Sequence, residues 1–372
     1  MKVLYFAPEL PIFMHKWQRV HFFDELARHN VEIDVFNPLY YKTAEEANLC
    51  LIKKLLNSSY SVFMTYVYDN SLLFLDSINK IKSYGIPTLF IRFDNLTIPY
   101  FDKDICSVFD LVWLTSKETQ YLYDKWGAKT VFAPYAANPY VFKYTESHNY
   151  HKLCFIGNPY GSRSLMINRL SSCGCDVDIY HSKKKKSGTV PEDSHIVMDY
   201  NPPFNKYLFY KDRLKFKEGR CLIKGSVIDK LFTNHEIISN QHVVFHDSLS
   251  FDDMMLAYSQ YALAVSFTST EHTDVLKHPL GRTFLRTFEI PMCGGIQFCR
   301  YFKEVAEYFE DGKEIVFYHT NDELEDKAKY YTTKASDTEL FSMKRAARKR
   351  SEKEHTWYHR FSKVFRELNI NI

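Results

Sequence analysis

Gly281-Arg-Thr-Phe-Leu-Arg-Thr-Phe-Glu-Ile-Pro-Met-Cys-Gly-Gly295 decides how this chain is read. A glycine-led turn opens the stretch, an amphipathic helix follows, and Gly294-Gly295 stops it. The apolar Ile296 and Phe298 come next, so the unit reads helix, turn, strand. A helix N-terminus gathers backbone N–H groups and the positive end of the helix dipole, and so attracts a phosphate. Arg282 stands at that end and can add a bidentate fork to the same anion, beside the N–H groups of Gly281–Thr283. Glu289 lies about two turns further on, where a carboxylate accepts hydrogen bonds from vicinal sugar hydroxyls. A phosphate grip and a diol grip on one short helix describe a nucleotide-sugar site. The alternative use of Glu289 is an ion pair with Arg286, its neighbour on the same helix face.

Around this unit, strand-like and helical stretches alternate. The patterning predicts strands at Val3–Phe6, Val31–Phe36, Ser61–Tyr68, Thr88–Phe93, Leu111–Leu114 and Thr130–Ala133. Between them it predicts helices at Met14–His29, Ala44–Leu56, Leu72–Ser83 and Lys117–Trp126, the last capped by Ser116. In the first helix, Trp17, Val20, Phe23 and Leu26 fall near one face. The rhythm restarts at Lys152–Ile156, with a helix Ser164–Ser171 and strands at Val177–Tyr180, Val243–Phe245 and Leu263–Phe267. Strands alternating with helices imply a parallel sheet covered on both faces. The expected domains are residues 1–145, residues 150–354 with an insertion at about 181–224, and a C-terminal helix, 355–372, returning to the first.

Composition narrows the function classes. Net charge is +3 over 372 residues, which is not the basic footprint of a nucleic-acid binder. No apolar run reaches the length of a membrane span, and Met1–Phe6 goes straight into a strand without the order of a secretory signal. The eight cysteines are scattered, with no CxxC and no Cys/His spacing for zinc, and read as free thiols in a reducing cytosol. Cys173-Gly-Cys175 reads as a turn before a strand rather than a metal clip. The lysine run 183–186 reads as a solvated loop, with attraction to an anionic lipid or a charged polymer as the alternative; the expected location is cytoplasmic, peripheral at the inner membrane face under that alternative.

Three groups of residues resemble a known family. They are Phe155-Ile-Gly-Asn158 followed by Arg163, Arg286-Thr-Phe-Glu289 with Gly294, and a C-terminal set. The last comprises Gly312-Lys-Glu-Ile-Val-Phe-Tyr318, Asn321-Asp-Glu-Leu324 and His355-Thr-Trp-Tyr-His-Arg360. In this order they resemble the GT-B glycosyltransferases, and within them the CgeB-like, spore-maturation-type branch of group 1. The resemblance covers residues 152–180 and 243–365 and is loose over 1–150.

The resemblance implies an α/β fold of GT-B type: two doubly wound Rossmann-like domains facing a cleft, with the C-terminal helix packing back on the first. It implies hexosyl transfer from a nucleotide-diphosphate sugar to a glycan, lipid-linked or protein acceptor, as in polysaccharide biosynthesis, with no cofactor and no metal. Arg163 and Arg282 would hold the diphosphate, with Gly157, Asn158, Thr283, Arg286 and Glu289 completing the donor site. The base would sit near His246-Asp-Ser-Leu249. Retaining relatives carry two glutamates bracketing this helix; Glu289 matches the second, but Gly281 stands where the first would fall. Glu271 is the substitute if its loop folds back.

The acceptor side should come from loops at the strand C-termini of the first domain: Pro8–His15, Tyr68-Asp69 and Asp94-Asn95. An inverting enzyme needs a general base there, and Asp94, Glu9 and His15 are the candidates in that order. Asp94 has the plain alternative of a turn residue. Asp176-Val-Asp178 looks like a metal-binding DxD but lies in a predicted strand, and reads as structural. Two other readings stand beside transfer: a sugar-nucleotide epimerase on the same plan, and a non-catalytic binding protein that keeps the fold.

Overall fold

The computed structural model describes residues 1–10, 17–146, 148–181, 195–202 and 204–372. Its strands are β1 (Lys2–Phe6), β2 (Glu32–Phe36), β3 (Val62–Thr65), β4 (Thr88–Arg92), β5 (Leu111–Leu114) and β6 (Thr130–Phe132). They continue as β7 (Tyr150–Ile156), β8 (Val177–Tyr180), β9 (Val243–His246), β10 (Tyr261–Val265), β11 (Gln297–Arg300) and β12 (Val316–Tyr318). The helices begin with α1 (Asp24–Arg28), α2 (Ala44–Leu56), α3 (Leu75–Ser83), α4 (Gln120–Lys125) and α5 (Arg163–Ser172). After these come α6 (Lys206–Leu214), α7 (Lys217–Phe232), α8 (Phe251–Gln260) and α9 (Leu285–Met292). The last four are α10 (Lys303–Ala306), α11 (Asn321–Thr333), α12 (Asp337–Glu354) and α13 (Trp357–Arg366). The chain divides into two compact units.

The first unit takes Met1–Pro134, Ser187–Arg220 and Trp357–Ile372. Its sheet has six strands in the order β2-β1-β3-β4-β5-β6, and every pairing is parallel. β3, β4 and β5 are buried at every residue, as strands covered on both faces must be. Thr43 caps α2 by accepting the Glu46 N–H at 3.2 Å, while Glu46 accepts the Lys42 N–H at 3.0 Å. Gly85, at φ +73°, ends the helical region after α3 in the left-handed conformation that favours glycine.

Three local expectations needed correction here. The first helix carries a π turn at Arg19–Phe23, which rotates the buried face, so His21 and Phe22 point inward instead of Val20 and Phe23. Ser116 does not cap α4; its N–H donates to Asn95 Oδ1 at 3.0 Å and its carbonyl accepts Asn95 Nδ2 at 2.8 Å. α4 therefore starts three residues later than the pattern suggested, at Gln120. The segment read as an insertion in the second domain instead groups largely with the first unit. There Val197 and Met198 donate to the Leu39 carbonyl at 2.8 and 3.0 Å, and Tyr200 donates to Asp69 at 2.8 Å.

The C-terminal helix α13 also belongs to the first unit. The Glu25 carboxylate, 1% exposed, accepts the N–H groups of Trp357 and Tyr358 at 3.0 and 3.1 Å. An anion at a helix N-terminus satisfies orphan donors and meets the positive dipole end. The Trp357 indole then packs among Trp17, His21, Phe22 and Trp113. That explains why the His355–Arg360 motif is so aromatic.

The second unit takes Tyr135–Lys186 and Cys221–Thr356. Its six-stranded sheet runs β12-β11-β10-β7-β8-β9, again parallel throughout. Leu153, Phe155, Val177, Ile179, Leu263, Phe298 and Val316 form one side of its core with α5, α11 and α12 residues such as Ile167, Leu324 and Leu340. Arg348 of α12 donates to the carbonyls of Pro139, Phe142 and Met292, holding the stretch read as a linker against the C-terminal end of α9.

Candidate functional site

In an open parallel sheet, ligands bind outside the carboxyl ends of the strands, where the winding reverses. In the second unit the chain winds outward from β7 through β8 and β9, then returns to the other side of β7 with β10. The loops after β7 and β10 therefore flank the reversal. They contain Gly157–Ser162 and Ser266–Asp274.

The loop after β7 is built for close approach. Gly157 donates its N–H to Tyr180 at 3.0 Å, and a Cβ there would sit 3.6 Å from Arg286 Nη2. Gly161 has φ +61°, and a Cβ there would lie 2.9 Å from His272 Nδ1. Gly161 thus leaves room for His272, while Gly157 is required by its φ of +150°, a conformation L side chains rarely adopt. Arg163, the first residue of α5, donates to the Asn158 carbonyl at 3.0 Å and to the Tyr160 hydroxyl at 3.2 Å. Its guanidinium lies 4.1 Å above the Tyr160 ring. Burial lowers its pKa, and the nearby Arg286 cation lowers it further.

Arg286 enters from α9. Its guanidinium donates to the Ile156 carbonyl at the end of β7 and to the Tyr258 hydroxyl at 2.9 Å. Burial works against its charge, but Tyr258 and Glu289 outweigh that and hold its pKa above the usual value. Two guanidinium groups therefore converge on one glycine turn at a helix start.

The loop after β10 adds a second polar group. Asp274 accepts the Ser162 hydroxyl at 3.3 Å and a short bond from Ser269, while Arg300 Nη1 stands 3.9 Å away. Burial pushes the Asp274 carboxyl up, opposed by those bonds and by the Arg300 and Arg163 charges. His272 Nδ1 lies 2.6 Å from Asp229 Oδ2. The carboxylate only accepts, so Nδ1 carries the proton and Nε2 keeps its own bonding capacity. α7 brings Asp229 there because Gly225, one turn earlier, lets the helix backbone press on the His272 carbonyl; a Cβ at 225 would meet it at 2.9 Å.

The structure rearranges the expected phosphate grip. α9 begins at Leu285, so Gly281–Thr283 is not its first turn. Gly281 instead bridges Ser269, and the Arg282 N–H donates to the Thr268 carbonyl at 3.0 Å. Arg282 is buried with its guanidinium 4.5 Å above the Phe284 ring, and the Thr283 hydroxyl donates to Glu304 at 2.9 Å. These bonds tie the segment into the fold, and the helix start is set by the Phe284 N–H on Thr287 Oγ1 at 3.1 Å. Glu289 is 9% exposed on α9, in the surroundings of Arg286, Tyr258 and Cys293.

Glu271 sits beside His272 with φ +50°, unusual for a non-glycine residue. The missing first glutamate has a steric reason: a Cβ at Gly281 would fall 2.0 Å from the Phe302 ring. The two DxD carboxylates separate. Asp176 pairs with His242 at 2.8 Å, and Asp178 accepts the Tyr261 hydroxyl at 2.6 Å. Near the expected base position, a cavity of about 330 Å³ is lined by Tyr180, His246, Leu249 and Tyr261, with the Tyr180 and His246 rings stacked at 4.7 Å.

In the first unit the winding reverses between β1 and β3. Glu9 follows β1 there but is held by Arg19 in a bidentate pair at 2.7 and 2.6 Å, which argues against a free base. Asp94 is exposed in the turn after β4, where its carbonyl accepts the Thr97 N–H at 3.0 Å. Behind that turn Arg92 and Tyr123 both donate to the fully buried Asp102, the former at 2.6 Å. His15 and the lysine run lie outside the described residues.

Sequence reasoning missed His272, Asp229, Tyr160 and Tyr258. The Gly225–Asp229 spacing, a small residue one helical turn before a carboxylate, was the legible signal for the dyad.

The comparisons bear on the fold. The chain has the GT-B fold. HepE from Anabaena, in complex with UDP and glucose, superposes with a TM-score of 0.55 at 12% identity, over 99% of both chains. Sucrose-phosphate synthase from Thermosynechococcus elongatus gives 0.55 at 10% identity, also over 99% of both. A trehalose-6-phosphate synthase gives 0.56 at 11% identity, over 100% of this chain and 99% of that one. At such identities the likeness establishes the fold. Residues 211–366 match a family model described as glycosyl transferase-like. No curated protein matches the sequence. Among the described residues, no helix is long and apolar enough to cross a membrane, and no group of three or more His, Cys, Asp or Glu could hold a metal ion.

Proposed function

We propose that the protein is a glycosyltransferase of group 1, in its CgeB-like branch, that moves a hexose from a nucleotide-diphosphate sugar to a glycan, lipid-linked or protein hydroxyl without a metal. The observation that carries this is the convergence of Arg163 and Arg286 on the Gly157 turn. As the glycosidic bond breaks, negative charge grows on the departing diphosphate. Fixed guanidinium groups and the N-terminus of α5 stabilise that charge at no reorganisation cost. Glu289 takes the ribose hydroxyls, and Glu271 and His272 face the hexose side of the donor. HepE is seen in complex with UDP and glucose, and the other two similar structures are a sucrose-phosphate synthase and a trehalose-6-phosphate synthase, which supports a nucleotide-sugar donor here.

The protein works in the cytoplasm with peripheral membrane contact. α6 supports this: Tyr207, Leu208, Tyr210 and Leu214 are exposed, and Lys206, Lys211 and Lys215 lie among them. Exposed aromatic and aliphatic groups interleaved with lysine suit an anionic lipid surface. Co-sedimentation with anionic but not neutral vesicles, lost in Tyr207→Ser/Leu208→Ser, is the expected result.

Thermal unfolding against UDP, GDP, ADP, CMP and their sugar conjugates tests the donor reading. A rise with one nucleotide, abolished by Arg286→Ala in a folded variant, supports it. A folded protein that no nucleotide protects would favour the non-catalytic alternative.

A further inference from the structure

Away from the candidate site, at the other end of α5, two thiols face each other. We propose that Cys173 and Cys175 form a dithiol site that takes two-electron oxidation to an intramolecular disulfide, by exchange with a low-molecular-weight disulfide such as oxidised glutathione. This does not depend on the donor reading.

The geometry is local and specific. Cys173 is the C-cap of α5, Gly174 turns the chain at φ +91°, and Cys175 leads toward β8. The two Sγ atoms are 3.6 Å apart. A disulfide bond is about 2.05 Å long, so roughly 1.5 Å of approach remains, within reach of side-chain rotation. Nothing lies within 4 Å of where a Gly174 Cβ would be, so the turn has room to adjust. Among the described residues, no cluster supplies the further ligands a metal would need at these sulfurs.

The two thiols differ in reach and acidity. Cys173 is half-buried, whereas Cys175 is 2% exposed. The Cys175 thiol, hydrogen-bonded to Cys173, draws the Cys173 pKa down to about 7; burial opposes this and Lys329 assists. The same bond pushes Cys175 up. Position at a helix C-terminus disfavours a thiolate, and the Cys173 Sγ lies 3.1 Å from the Leu170 carbonyl. The neighbouring thiol and Lys329 outweigh that. Cys173 is thus the attacking sulfur and Cys175 the resolving one. By contrast, burial pushes the thiols of Cys106, Cys154, Cys293 and Cys299 up, which leaves them unreactive.

The exchange balances in two displacements. The Cys173 thiolate attacks one sulfur of oxidised glutathione, the S–S bond breaks, and one glutathione thiolate leaves. Cys175 then gives up its proton to solvent and attacks Cys173 Sγ, and the second glutathione thiolate departs. Two protein thiols are oxidised, and one glutathione disulfide is reduced to two thiols.

The folded full chain, treated with oxidised glutathione at neutral pH and mapped by peptide mass spectrometry, tests this. The expected product is a 173–175 peptide lighter by two hydrogens, with no retained glutathione. Cys175→Ser should instead trap glutathione on residue 173, and Cys173→Ser should leave Cys175 unmodified in the folded protein. Recovery of both thiols in alkylatable form, or a stable glutathione adduct at Cys173 in the wild type, would overturn the proposal. The variants replace one half-buried and one buried sulfur, so circular dichroism confirms folding first. Should Cys175→Ser not fold, the wild-type product decides: a 173–175 disulfide supports the proposal, and two alkylatable thiols or a stable glutathione adduct oppose it.

Discussion

Asp229 Oδ2 holds His272 Nδ1 at 2.6 Å while its other oxygen, Oδ1, is buried without a hydrogen-bond partner among the described residues. Among the described residues His235 is the one other ion-pair partner of Asp229, at 3.5 Å. His272→Ala should therefore leave a carboxylate that is 3% exposed poorly compensated, at a cost of about 1–3 kcal/mol in urea unfolding. Asp229→Ala/His272→Ala should cost less than the sum of the two single changes, because the double variant buries no orphan charge. Strict additivity would mean that the pair is not coupled.

Gly281 and Phe302 explain why no glutamate stands at position 281. A Cβ at 281 would lie 2.0 Å from Phe302 Cγ, so Gly281→Ala should destabilise by about 1–3 kcal/mol or more. Gly281→Glu should not supply the glutamate that the resemblance places there; it should fail to fold. Gly281→Ala/Phe302→Ala should recover part of the loss, since the obstructing ring is gone. A Gly281→Ala protein as stable as wild type in chemical denaturation would show that this packing is not as tight as the geometry says.

Much of this could be read from the sequence, and the rest failed for identifiable reasons. α2 and β5 match their patterns residue for residue, because Thr43 marks the helix start and Leu111–Leu114 is one uninterrupted apolar run. The π turn at Arg19–Phe23 was invisible because it breaks the 3.6-residue spacing on which the reading relied. The start of α9 was placed too early because Gly281 looks like a helix-opening turn, whereas its lack of a side chain serves contact with Phe302. Arg163 and Arg286 lie far apart in the chain, and only the parallel pairing of β7 with β10 and β8 brings their loops to one end of the sheet. The Val197–Tyr200 stretch joins the first unit through two backbone bonds to Leu39 and scattered contacts of Met198 and Tyr200, which make no periodic pattern to read.

Nucleotide binding should depend on Arg286 more than on Glu289. Arg286→Lys keeps the charge but loses the planar fork, so nucleoside diphosphate affinity should fall about tenfold or more, given how unlike the two side chains are at such sites. Glu289→Ala should weaken nucleoside diphosphates while leaving inorganic pyrophosphate unchanged, because the carboxylate is assigned to the ribose. Isothermal titration with both ligands separates these effects. Equal loss of pyrophosphate and nucleotide in Glu289→Ala would remove the ribose assignment.

Lys344 gives the fold a dependence on alkaline pH. Its side chain is fully buried, donating to the Ser259 carbonyl at 2.7 Å and to Asn149 Oδ1. Burial lowers its pKa from the usual 10.5 to about 8, against the pull of nearby acidic groups. Below pH 8 both folded and unfolded chains carry the proton, so Lys344 adds no slope. Between about 8 and 10.5 the unfolded chain holds a proton that the folded chain has released. Stability should therefore rise with pH across that window, by at most on the order of 3 kcal/mol. Lys344→Met should remove that rise, and the difference between wild type and variant isolates it from the tyrosines that titrate nearby. Denaturant unfolding of both proteins from pH 7 to 10 measures it. Parallel curves would mean that Lys344 stays charged in the fold, held by Asn149 and Ser259 more strongly than burial opposes it.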